Sequence, residues 1–143
     1  MGQQQLLLLV LSTVIVGLAT VAGIQAFSEN QKQATQDALV QRAISLGNDL
    51  AAAHDKPSQL GGITIGDSNT DSDVNAALGV SDHTVISADG AGESAECKVN
   101  DGSDPATVEC GSAALDGGAA GDVQVTVDVD PSADDPVTVK SIL

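Results

Sequence analysis

The stretch that most limits how this chain can fold is "LLLLVLSTVIVGLATVAGIQAF", residues 6–27, which holds no ionisable side chain. Its polar members are Ser12, Thr13, Thr20 and Gln25. As a helix these 22 residues reach about 33 Å, the thickness of a bilayer core. A run that is apolar on every side cannot stay in water as a monomer. It needs lipid around it, or other apolar helices.

The helical pattern continues beyond the apolar run. "SENQKQATQDALVQRAISLGNDLAAAH" has no proline, and Ala34, Leu39, Ala43, Leu46 and Leu50 fall near one face, with Val40 and Ile44 alongside. This second half is amphipathic and has to bury its stripe, most simply against the rest of the same chain. Pro57 and Gly61-Gly62 end the helix. Short strand candidates follow: "GGITIGD", "HTVISADG", "ECKVND", "ATVECGS", "DVQVTVDVD" and "PVTVKSIL". "SDVNAALGV" has room for one or two helical turns, and "DPSADD" reads as a hairpin loop. The clearest strand carries Val123, Val125, Val127 and Val129 on one face and Gln124, Thr126 and Asp128 on the other. "PVTVKSIL" repeats the pattern with Val137 and Val139. The expected fold is α+β: a long N-terminal helix, apolar then amphipathic, packed against a small C-terminal antiparallel β head. Its parts are residues 1–2, an apolar helix at 3–27, an amphipathic continuation at 28–56 and an acidic head at 57–143.

Charge is placed unevenly. Residues 1–48 set Glu29 and Asp37 against Lys32 and Arg42, so the whole net charge of −15 falls on residues 49–143. Nucleic acid is excluded as a partner, because phosphates need clustered Lys and Arg. All of the 20 acids except Glu29, Glu93, Glu96 and Glu109 are Asp. Such a surface repels itself in dilute buffer and is screened at high salt, so a salt-loving source is expected. Phe27 is the only aromatic residue, and the core must be built from Val, Ile, Leu and Ala. Cys97 and Cys110 are the only cysteines. They allow one intramolecular pairing and too few ligands for a zinc site, so a disulfide formed outside the cytoplasm is expected. It would staple a head whose core is thin.

A Gly followed by a polar residue, an uninterrupted apolar helix, an amphipathic continuation and a β head together resemble the type IV pilin superfamily. The signature covers residues 2–53; the head resembles the family in layout. The resemblance implies cleavage by a membrane peptidase between Gly2 and Gln3, with the apolar helix retained. Leu7 stands where bacterial pilins usually carry Glu, and the Gln3 start is closer to archaeal pilins. It also implies a filament core made of Leu6, Leu7, Leu8, Leu9, Val10, Leu11, Val14, Ile15, Val16, Leu18, Val21, Ile24 and Phe27. Small residues four apart, Thr13/Gly17, Ala19/Gly23 and Ala22/Ala26, would let helices approach closely. Expected partners are copies of the chain in a helical filament, the prepilin peptidase, the pilus assembly machinery and the cytoplasmic membrane before assembly. The finished filament would lie at the cell surface and serve attachment or motility. A pseudopilin of a type II secretion system is the nearest alternative. A single-pass anchored extracytoplasmic binding domain is the alternative from another class. A cleaved signal peptide fits less well, since the n-region has no basic side chain and the apolar run is long.

No catalytic residue and no cofactor are expected. "DSNTDSDVNAAL" spaces Asp67, Asn69, Asp71 and Asp73 at every second position, but Ser72 and Leu78 stand where a calcium-binding EF-hand needs Gly and Glu. The expected reading is a solvated acidic turn, with no metal site. No Ser-His-Asp arrangement and no phosphate-cradling glycine loop emerges.

Overall fold

The computed structural model describes residues 2–66, 69, 71–92, 94–112 and 124–142. Val123 and Asp67 therefore lie outside the described residues. The chain divides into two compact units, residues 1–33 and 34–143.

Residues 2–33 of the first unit are helical, part of helix α1, Gly2–His54. The helix stops two residues short of the expected end at Lys56. The Cβ of any larger residue at Gly62 would strike the Lys56 carbonyl, so the turn back after the helix requires glycine there. A single 3-10 turn, Ser58–Leu60, is closed by Gly61 at a left-handed φ of 80°.

In the second unit, residues 34–54 of α1 bury Thr35, Leu39, Ala43, Leu46, Gly47, Leu50 and Ala53. The spacing of four, four, three and four from Thr35 to Leu50 keeps one stripe inward. Ala34, expected on this stripe, is exposed. It lies five residues before Leu39, too far round the helix. Thr35, four before, takes the place despite its hydroxyl.

A short helix α2, Asp71–Leu78, follows with Val74 buried and Asp71 and Asp73 in its first turn, where carboxylates complement the helix dipole. The sheet is an antiparallel meander in sequence order: β1 Ile86–Ser87, β2 Glu96–Asn100, β3 Ala106–Gly111, β4 Val125–Val129 and β5 Val137–Ile142. Cross-strand register lines up the covered face in rows. Ile86, Cys97, Cys110 and Val125 form one row; Val99, Val108 and Val127 form the next; Ala106 and Val129 form a third. These side chains form the core with the helix stripe. Gly47 marks the closest approach: a Cβ there would sit 3.0 Å from Val137 Cγ1 and 3.3 Å from Val129 Cγ2.

Three expectations are corrected. "GGITIGD" is not a strand. Ile63 and Ile65 are core residues, but their backbones bond elsewhere: Ile63 N donates to the Ala53 carbonyl at 3.3 Å and Ile65 N to His54 Nδ1 at 3.2 Å. Gln124, expected on the outer face of β4, is buried. Val139, expected inward like Val137, is 42% exposed although it pairs with Val127 in register. β5 is the sheet edge, and there the helix covers only Val137. A bulge opposite Thr126/Val127 lets β5 accommodate one extra residue.

Candidate functional site

The first unit has one dominant feature, its surface. All 13 large apolar side chains from Leu6 to Phe27 are exposed, from 50% at Val10 to 69% at Leu18. The three hydroxyl-bearing members are folded back onto the helix. Ser12 Oγ donates to the Leu9 carbonyl at 2.9 Å, Thr13 Oγ1 to Val10 at 2.8 Å and Thr20 Oγ1 to Val16 at 2.7 Å. These hydroxyls need no water, which suits an apolar surround. The helix is long and apolar enough to cross a membrane, with a mean hydropathy of 2.5 over its best window. Nothing lies within 4 Å of where Gly17 or Gly23 would carry a Cβ. Gly2 and Gln3, the expected cleavage pair, stand exposed in the first turn of α1. The small pairs and the apolar residues thus share one accessible helix, far in sequence from the β head.

The head is fastened by polar and covalent ties. Cys97 and Cys110 form a disulfide between directly paired residues of β2 and β3, with Cα atoms 4.0 Å apart. Both are buried, so the bond belongs to the core. On the other face of the same hairpin, Lys98 Nζ meets Glu109 Oε2 at 3.2 Å. Lys140 Nζ, at the bulge of β5, meets Asp128 Oδ2 at 3.1 Å. The Gln124 side chain imitates a strand: Ser112 N donates to its Oε1 at 2.8 Å and its Nε2 donates to the Ser112 carbonyl at 3.0 Å. The Ser112 hydroxyl donates to the Ala91 carbonyl at 2.7 Å, tying the loop after β1 to the end of β3. The buried polar groups of Gln124 and Ser112 are thereby matched.

The two histidines are structural. His54 Nδ1 accepts from Ile65 N, so its proton is assigned to Nε2. His83 is buried, and its Nδ1 lies 2.9 Å from Asn75 Oδ1, which also accepts from His83 N at 2.6 Å. The carbonyl oxygen makes Nδ1 the protonated nitrogen there. Two aspartates cap turns. The Thr84 hydroxyl and N–H donate to Asp82 Oδ1 at 2.6 and 2.9 Å, holding that carboxyl below its usual range. Ser132 does the same to Asp130, from its hydroxyl at 2.6 Å and its N–H at 2.9 Å.

Of the acidic run before α2, Asn69, Asp71 and Asp73 are among the described residues. Asn69 Nδ2 donates to the Thr64 carbonyl at 2.8 Å and to Asp101 Oδ2 at 2.7 Å, while Asp71 and Asp73 turn into the helix. Among the described residues no group of three or more His, Cys, Asp or Glu is placed to hold a metal ion. A concavity beside Arg42 was invisible in the sequence, where Arg42 counted only as a charge balancing Asp37.

Comparison of the chain with protein families, with curated proteins and with solved structures finds no match.

Proposed function

We propose that this protein is the structural subunit of a type IV pilin-like filament, held in the cytoplasmic membrane by its apolar helix and then polymerised by bundling of that helix. The carrying observation is the N-terminal unit: 13 large apolar side chains are at least half exposed, on a helix whose hydroxyls bond to its own backbone. Each such side chain gains about 1.5–3 kcal/mol on full burial, so the helix leaves lipid only if equivalent surfaces replace it. Copies of the same helix supply them, and Gly17, Gly23 and the neighbouring alanines permit close contact. Processing between Gly2 and Gln3 belongs to this reading, as do the prepilin peptidase and assembly machinery as partners. The head would form the coat of the fibre, used for attachment or motility rather than catalysis.

Electron microscopy of material sheared from cells tests this directly. Thin fibres whose mass spectrum contains this chain starting at Gln3 support the reading. Native material that is always monodisperse and detergent-dependent removes it and leaves a single-pass anchored domain. The acidic head also supports a salt-loving source; its melting temperature should rise between low and molar salt, and equal values in both would count against that source.

A further inference from the structure

The concavity beside Arg42 has core residues Ile86, Ala88 and Ala95 in its wall and a polar rim around them. It has a volume of about 590 Å³, and its polar lining is Arg42 of α1 with Ser81, Asp82, Ser87, Asp89 and Glu96 from the stretch that runs from the end of α2 to the first residue of β2. That volume falls in the range of small-molecule sites, about 300–1,000 Å³.

Arg42 is the chain's only arginine. It is half-buried, and its Nε is shut off from solvent with no hydrogen-bond partner among the described residues. A guanidinium only donates, and a shielded donor without an acceptor is costly. Asp82, Asp89 and Glu96 are exposed and, when ionised, only accept. Asp82 is partly engaged by Thr84; no such bond occupies Asp89 or Glu96 among the described residues. The lining thus sets one half-buried guanidinium, whose shielded Nε a ligand does not reach, among exposed carboxylates, and Ser81 and Ser87 can act either way.

This combination selects by charge. A free anion would meet three carboxylates for one guanidinium. A metal ion finds no suitable ligand group and would face Arg42. A ligand whose every polar group both donates and accepts satisfies both sides at once, and hydroxyl groups do this. We propose that the concavity binds a neutral sugar one or two rings in size, with Arg42 donating to its oxygens and Asp89 and Glu96 accepting from its hydroxyls. The site lies wholly in the second unit, so it stands or falls independently of filament assembly.

The test uses the full chain in a sugar-free detergent. Saturation-transfer NMR is recorded with methyl glucoside, methyl mannoside, methyl galactoside and maltose, with glucuronate as the charged control. Retention on glucan, mannan and galactan beads is measured in parallel. Transfer to a neutral sugar is expected, with glucuronate about tenfold weaker because of the outer carboxylates. Arg42→Met should weaken binding about tenfold through loss of charge-assisted bonds, and Arg42→Lys less. Asp89→Asn, an exposed change that leaves the fold intact, should weaken it also. Amide-exchange protection of β2–β4 verifies that each variant is folded. Transfer to free sugars alone assigns a soluble ligand, and bead retention as well assigns a surface glycan; both support the site. Absence of transfer and of retention overturns the proposal, as does undiminished binding by Arg42→Met and Asp89→Asn, or a preference for glucuronate.

Discussion

Replacing Gly47 with alanine should destabilise the head, although the same change on an exposed helix does the opposite. Alanine in place of glycine gains about 1 kcal/mol of helix propensity. At Gly47 the added methyl would lie 3.0 Å from Val137 Cγ1, 3.3 Å from Val129 Cγ2 and 3.5 Å from Val127 Cγ1. The first two distances are too short, and the three valines belong to adjacent strands, so none can retreat without disturbing a neighbour. Overpacking of this kind costs about 1–3 kcal/mol. The net effect is a loss of about 1 kcal/mol, or a melting point lower by roughly 4–8 °C. Gly47→Val places two further methyls in the same gap and should lose about 3 kcal/mol. Gly23→Ala is the control: nothing lies near it, and the head's transition should stay where it is. Calorimetry in detergent is the assay, because the chain has no Trp or Tyr to report by fluorescence. A melting point that rises in Gly47→Ala would refute the packing argument.

Three further expectations follow from the head. Reducing the Cys97–Cys110 bond, or Cys97→Ser with Cys110→Ser, removes a 13-residue closure and should cost about 3 kcal/mol; hydrogen exchange should show faster amides in β2 and β3 and unchanged ones in residues 2–33. Gln124→Leu removes both bonds between its side-chain amide and the Ser112 backbone and should cost about 2 kcal/mol, measured by thermal melting. Asp82 and Asp130 titrate below the usual aspartate value of 3.8 when folded. Their contribution is therefore complete above that value and is lost as pH falls through their lower folded values. In acid melts, Asp82→Ala with Asp130→Ala should flatten the slope below pH 3.8; an unaltered slope would show that these turns do not respond to acid.

Periodicity carried much of the architecture into view. The run from Leu6 to Phe27 needed only its length, and the alternation of Val125, Val127 and Val129 needed only its period of two. Features that depend on a neighbour did not show. Ala34 looked like part of the stripe because it is apolar, yet helical phase gave the position to Thr35. Gln124 looked solvent-facing because it is polar and alternates with valines. Its burial goes with the two bonds its amide makes to the backbone of Ser112, twelve residues away. Val139 has the right period but the wrong place in the sheet, farther along edge strand β5 than the Val137 that packs against Gly47 of α1. Ile63 and Ile65 are core residues in a segment with strand-like composition and no strand partner. The Arg42 concavity depends on a loop folding beside a helix more than 35 residues earlier, which no local pattern records.

The order of the strands also bears on how the head comes into being. Each pairing joins chain neighbours, from β1–β2 through β4–β5, so no strand waits for a distant segment to arrive. Loop closures are short and search is correspondingly quick. Hairpins can zip one after another as the polypeptide emerges, and α1 then has a ready-made valine floor on which to settle.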